Sequence, residues 1–367
     1  MKITGLELDA VHVNHRGDWI FLHVGTDAGL RGLGELRAGR NYHEQVREVR
    51  RLEQELVGRD PRHIHAILHE YAPRPPRRAA LCALSAIDMA LWDLLGKRLE
   101  VPVYQLLGGA CRDRIRLYAN INRATTERTP EGFARNAAAA VAEGFDAIKL
   151  APFDQMPRAM DRAAEAATGI DCMTAVRQAI GPDVDLLIDC HSHFTPRGAL
   201  EVAEALRPLN LFWYEQPVPE DDLTVFTRVK DGCGLRVAGG EGRMLGPAFW
   251  AVLRQRAMDV IMPDVTMVGG ISELSRVAAM AAAAGVFTAP HGPFGPVTIA
   301  AGAHTMAAQP GFLILEYGWG EIAWRPELTL PAEQIRAGHL VLGDRPGLGL
   351  ELNLDTVGAH RVHLGAP

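Results

Sequence analysis

Cysteine is scarce and unpatterned in this chain: Cys82, Cys111, Cys172, Cys190 and Cys233 are dispersed, and no CxxC pair occurs. An odd, scattered set excludes a disulfide framework and a structural zinc site, and it points to a reducing cytoplasm. Positive charge is not in excess either, since 38 Lys and Arg stand against 44 Asp and Glu, for a formal net charge of −6. That balance offers no basic face for nucleic acid, although the local charge of a pocket is free to oppose the global sign. Long hydrophobic runs are missing too. The opening MKITGLELDAVHV alternates like a strand and lacks a signal-peptide core. The alanine-rich stretch from Val277 to Pro290 is too short, and too broken by Gly285, to cross a bilayer. The expectation is a soluble cytoplasmic protein with no nucleic-acid or membrane partner. Its 367 residues, 48% hydrophobic and 22% charged, suffice for two packed domains.

Residues 1–114 read as α+β. Met1 to Val13 alternates, Trp19 to Val24 is a second apolar strand, and a turn at Thr26-Asp27-Ala28-Gly29 leads to a third strand reaching Gly32-Leu33-Gly34-Glu35. Helical periodicity follows from Glu44 to Val57 and from Ala79 to Leu95, separated by Pro73-Arg74-Pro75-Pro76. From residue 115 the texture changes. Apolar runs at Ile115–Ile121, Ala147–Leu150, Val184–Ile188, Leu211–Tyr214, Leu235–Ala238, Val260–Met262, Val286–Thr288 and Phe312–Leu315 alternate with amphipathic segments. Parallel strands need crossover helices, and eight such units fit a closed barrel over 115–325 better than an open sheet. No Gly-rich dinucleotide turn follows the first strand. The Pro- and Gly-rich segment 326–367 is expected to pack back on the N-terminal domain.

Chemistry-bearing residues follow the apolar runs. Asp189, Glu215 and Glu241 end the third, fourth and fifth, and each lies 26 residues from the next. One βα unit per step puts three carboxylates at one height on adjacent strands, on the face where such barrels carry active sites. Three converging acids repel unless a cation neutralises them, and hard oxygen ligands favour one Mg²⁺. Asp264 and His291 end the sixth and seventh runs, and a carboxylate beside an imidazole makes a competent general base. His191, two residues beyond Asp189, shares its facing if the strand continues. Lys149 ends the second run, placed for a substrate carboxylate or an enolate oxygen, and Glu316 ends the eighth. Asn120, Asn122 and Arg123 after the first strand are candidates for substrate hydroxyls, and Trp319 and Trp324 after the eighth are candidates for the pocket wall.

The run Ser85-Ala86-Ile87-Asp88-Met89-Ala90-Leu91-Trp92-Asp93, with Gly96-Lys97 and Leu106-Leu107-Gly108-Gly109, resembles the helix before the barrel in the mandelate racemase subgroup of the enolase superfamily. The series Asp189, Glu215, Glu241, Asp264, His291 and Glu316 resembles that subgroup in order and spacing. The resemblance implies an α+β capping domain, a modified (β/α)₇β TIM-like barrel, one Mg²⁺ per subunit on Asp189, Glu215 and Glu241, and an Asp264–His291 base. It implies that Glu316, protonated, donates to the substrate carboxylate as an enediolate forms. It implies too that capping loops at Asn14–Asp18 and Gly39–His43 close over the mouth, which makes His15, Arg16, Arg40 and Tyr42 substrate candidates. Such barrels often form homo-oligomers.

One departure bears on the reaction. Many members carry Lys-x-Lys on the second strand, whereas this chain has Lys149-Leu150-Ala151, so a two-base racemase lacks its second lysine. Asp189-Cys190-His191 instead resembles the Asp-x-His of galactonate dehydratases, whose His is the general acid for a departing hydroxyl. The expectation is dehydration of a small sugar acid, aldonate or aldarate, to a 2-keto-3-deoxy acid. The alternatives are epimerisation or cycloisomerisation through the same enediolate, or a non-catalytic metal- and ligand-binding regulator.

Overall fold

The computed structural model describes residues 1–15, 17–37, 39 and 42–364. Three antiparallel strands open the chain in meander order: β1 (Ile3–Asn14), β2 (Gly17–Thr26) and β3 (Arg31–Leu36). Helices α1 (His43–Leu56), α2 (Ile64–Tyr71) and α3 (Arg78–Leu99) cover them. The short α2 escaped the sequence reading because eight residues give barely two turns of periodicity. By length and composition α3 is apolar enough to cross a membrane. Here it is the core helix of this layer, buried from Ala80 to Gly96 between β2, β3 and the barrel helix Gly270–Ala283. Strand β3 runs so close to α3 that a Cβ at Gly32 or Gly34 would stand 2.0 Å from the carbonyl oxygen of Ala90 or Ala86. Glycine is required at both.

Eight parallel strands follow: β4 (Arg114–Asn120), β5 (Ala147–Leu150), β6 (Asp185–Asp189), β7 (Leu211–Glu215), β8 (Val237–Gly239), β9 (Val260–Ile261), β10 (Phe287–Thr288) and β11 (Leu315–Gly318). Each pairs with the one before it from β5 to β10, and β11 pairs with β4. A parallel bridge from Thr288 to Phe312, in the segment leading into β11, closes the ring. A helix follows each of the first seven strands and none follows β11 before the chain leaves the barrel, so the architecture is (β/α)₇β. The barrel is plugged by Tyr118, Ala147, Leu187, Trp213, Ala238, Val260, Met262, Ala289 and Ile314, all buried.

The C-terminal segment engages both layers, not the N-terminal one alone. Its strand His339–Val341 pairs antiparallel with β4. Farther on, His12 N donates to His360 O, and Val362 N donates to Ala10 O.

The motif in α3 is a latch between the layers. Buried Asp88 accepts from Ser272 N at 3.0 Å and from Ser272 Oγ at 2.6 Å, at the start of helix Gly270–Ala283, and Trp92 Nε1 donates to the same hydroxyl at 2.8 Å. Asp93 accepts from Leu33 N and Leu348 N, tying β3 and the C-terminal segment to α3. Removing a buried acceptor strands its donors at a cost of about 1–3 kcal/mol each. Asp88→Ala is therefore expected to lower stability by about 2–4 kcal/mol in thermal unfolding. A change near zero would show that the latch does not hold the layers together.

Candidate active site

The polar mouth of the barrel lies one strand step above its apolar plug. Side chains two residues apart on a strand share a face. Above Tyr118, Ala147, Leu187, Trp213, Met262, Ala289 and Ile314 stand Asn120, Lys149, Asp189, Glu215, Asp264, His291 and Glu316. Glu241 is the exception. Gly239 and Gly240, the latter at φ 99°, add a bend, and Glu241 comes three residues after Ala238. Asp189 and Glu215 are register partners on β6 and β7, as their spacing suggests.

The resulting cavity holds about 170 Å³ and is lined by Arg37, Asn120, Asn122, Arg123, Lys149, Ala151, Asp189, His191, Glu241, His291, Pro293, Phe294 and Glu316. A larger and more apolar cavity, about 270 Å³, lies between helix Pro296–Ala307 and the C-terminal segment. Its described lining gathers no comparable set of titratable groups, which makes the smaller, polar cavity the candidate site.

Lys149 is the hub of the mouth. Its buried ammonium donates to both Glu215 oxygens at 3.2 Å, lies 2.8 Å from Glu316 Oε1 and reaches within 4.0 Å of Asp189. Burial opposes its charge, yet Glu215 and Glu316 hold its pKa well above the ordinary lysine value. One ammonium cannot satisfy all of these acids. Burial and the neighbouring Asp189 still push the Glu215 carboxyl well above the usual carboxylate range.

His291 Nδ1 donates to Asp264 Oδ2 at 2.9 Å, and its Nε2 faces Glu241 Oε2 at 3.0 Å. Thr266 N and Oγ1 anchor the other Asp264 oxygen at 2.8 and 2.5 Å. His191 Nε2 lies 2.9 Å from Asp189 Oδ2, and its Nδ1 meets Asp154. Burial lowers the His191 pKa, but Asp189 and Asp154 outweigh it and raise the value to about 11.

Several expectations need correction. β6 ends at Asp189, and His191 and Ser192 adopt left-handed backbone at φ 43° and 58°, so a turn rather than strand alternation aims the imidazole inward. At Glu316 the surrounding charges oppose the protonated form. Burial raises its pKa, but Lys149 and His291 prevail and bring it down to about 2, and it accepts from Asn120 Nδ2 and Gly292 N. Trp319 does not line the cavity, because its indole donates to Glu143 Oε2 at 2.8 Å. Asn122 does line it, giving its amide to Asp154 and leaving its buried Oδ1 without a hydrogen-bond partner among the described residues. Arg123 is paired with Glu321 at 2.8 Å. His15 borders an adjoining cavity beside Asp154, whereas Arg16 and Arg40 lie outside the described residues.

Sequence reasoning missed Arg37 and Asp154. Arg37 follows β3 and brings its guanidinium from the capping layer onto Asp264, over the Phe294 ring. Neither residue follows a barrel strand at the plug-plus-two position, so the strand pattern does not mark them.

The three acids foreseen as metal ligands each lean on a nitrogen partner: Asp189 on His191, Glu215 on Lys149, and Glu241 on His291. Among the described residues no three His, Cys, Asp or Glu side chains are gathered as a ready ligand set. The charge balance nevertheless suits a divalent cation. Among the described residues of the mouth, Asp189, Glu215, Glu241, Asp264 and Glu316 face Lys149 and Arg37 as permanent cations, with Arg123 already paired. Oxygen donors in acidic excess are what Mg²⁺ prefers.

The class these features define is an enzyme built as a capped (β/α)₇β barrel with an acid-rich mouth and an Asp–His pair. The chain belongs to the enolase superfamily: residues 7–108 match the mandelate racemase / muconate lactonizing enzyme N-terminal domain, and residues 132–356 match the enolase C-terminal domain-like family. It is 32% identical to D-xylonate dehydratase from Haloferax volcanii, over 98% of this chain and 89% of that protein. It is 31% identical to D-galactarolactone cycloisomerase from Agrobacterium fabrum, over 94% of this chain and 91% of that one. A crystal structure of a mandelate racemase/muconate lactonizing enzyme-like protein from Rubrobacter xylanophilus superposes with a TM-score of 0.91 at 32% identity, covering 100% of this chain and 98% of that one.

Proposed function

We propose that the protein dehydrates a sugar acid, an aldonate or aldarate, to a 2-keto-3-deoxy acid. The observation that carries the reading is the pair of imidazoles facing one cavity from β6 and β10, four strands apart in a ring of eight, with acids between them. When bound by Asp189, Glu215 and Glu241, Mg²⁺ would add the positive charge the mouth lacks and acidify the α-proton of a bound carboxylate.

The rest belongs to the chain. Lys149 attracts the substrate carboxylate, and Asn120 and the Asn122 oxygen meet hydroxyls. His291 Nε2 takes the α-proton, and Asp264, fixed by Thr266 and Arg37, orients the ring and stabilises the imidazolium. Glu316 keeps Lys149 and Asn120 in place for the enediolate. His191 gives a proton to the β-hydroxyl, which departs as water. The enol left behind tautomerises to the keto acid. One proton enters at His291 and one leaves from His191, so the enzyme's charge returns to its start once the two re-equilibrate with solvent.

Cycloisomerisation is the second reading, supported by the similarity to the Agrobacterium enzyme. Incubating the Mg²⁺-loaded protein with a panel of aldonates and aldarates separates the two. A product that forms a semicarbazone is expected; turnover of a lactone without keto-acid formation overturns the dehydratase reading.

A further inference from the structure

We propose that Asp154 is the positioning residue for His191, so that the mouth holds two Asp–His pairs, one for each proton transfer. The proposal rests on the dehydratase reading above. The pairs share one plan. In each, Nδ1 of the imidazole meets an Asp oxygen, and Nε2 faces an acid in the cavity: Glu241 for His291 and Asp189 for His191. In each, the other oxygen of that Asp is anchored. Thr266 holds Asp264 Oδ1, while Asn122 Nδ2 and Arg128 Nη2, both at 3.2 Å, hold Asp154 Oδ2. An ionised carboxylate only accepts, so Asp154 fixes a hydrogen on Nδ1 and presents Nε2 to the substrate.

The chain around Asp154 is built to keep it there. It sits on the loop between β5 and helix Ala167–Ile180. The preceding Phe153 is buried edge-on against Phe194, with ring centroids 4.9 Å apart. Arg158 donates to the carbonyl oxygen of His191 itself. Met160 N donates to His193 O, and Thr195 N donates to Met160 O, both at 3.0 Å. The β5 and β6 loops are thus zipped on either side of the Asp154–His191 contact. His191 stands on left-handed backbone with no strand neighbour to direct its ring, so an orienting partner has something to do.

The test compares two rates on one sample in deuterated water: α-hydrogen exchange into the sugar acid, set by His291, and keto-acid formation, which also needs His191. Their ratio is insensitive to the folded fraction. Asp154→Asn is expected to raise exchange events per elimination by about ten- to a hundredfold, and Asp154→Glu to recover part of the loss. A 3-fluoro-3-deoxy analogue, whose fluoride leaves with less help from an acid, should show a smaller Asp154→Asn deficit than the hydroxyl substrate. Equal loss of exchange and elimination, or a rise in KM alone, overturns the positioning role and leaves Asp154 a loop staple. Absence of both exchange and keto acid with wild-type protein on every sugar acid overturns the dehydratase reading and this proposal with it.

Discussion

Replacing His291 with Asn is expected to remove α-proton exchange and keto-acid formation together, each by roughly 10²–10⁴-fold, which is the range for losing a general base. Of the two imidazoles in the described cavity lining, His291 is the one paired with Asp264, and its Nε2 is the nitrogen turned to the mouth. Asparagine keeps a donor for Asp264 and fills much of the same volume, so the anchored Asp264–Thr266–Arg37 cluster should survive with little change in unfolding temperature. Both readouts must fall in parallel, because elimination cannot precede loss of the α-proton in this scheme. Exchange at the wild-type rate would assign the base elsewhere.

Lys149→Met carries the second large effect, on stability. The ammonium is buried against Glu215, Glu316 and Asp189, and removing one partner from a buried ion cluster typically costs about 3–5 kcal/mol. The pH dependence has a definite sign. The Lys149 pKa is raised above its ordinary value of 10.5, so its stabilisation is complete below that pH and fades as pH rises through the folded value. Glu316 has a folded value of about 2 against an ordinary 4.5, so its stabilisation is present above pH 4.5 and is lost as pH falls toward 2. Without the ammonium, Glu215 and Glu316 both shift upward and take up protons more readily when folded. The deficit of Lys149→Met should therefore be largest near pH 8 and shrink toward pH 5 in urea unfolding. A deficit under about 1 kcal/mol at pH 8, the size of an exposed pair, would show that the cluster is solvated rather than held by this lysine.

Much of the barrel was legible because its code is periodic. Eight apolar runs gave the strands to within a few residues, since plug and mouth recur at a two-residue step. The equal spacing of Asp189, Glu215 and Glu241 reflected one βα unit per step, although Gly240 displaces the third acid by a residue. What the pattern could not carry lies in loops and long-range electrostatics. Arg37 reaches Asp264 across 227 positions of sequence, and Asp154 meets His191 from an irregular loop. The downward pull on the Glu316 pKa comes from Lys149 and His291, on two strands that meet it only in space. Trp319 follows a barrel strand as a pocket residue would, yet the position of Glu143 decides where its indole goes.

A proton NMR time course in deuterated water, run on wild type, His291→Asn and His191→Asn with one active sugar acid and Mg²⁺, separates the two proton transfers. Wild type is expected to give keto acid, His291→Asn neither exchange nor keto acid, and His191→Asn exchange with little keto acid. Undiminished keto acid from either variant would contradict these assignments.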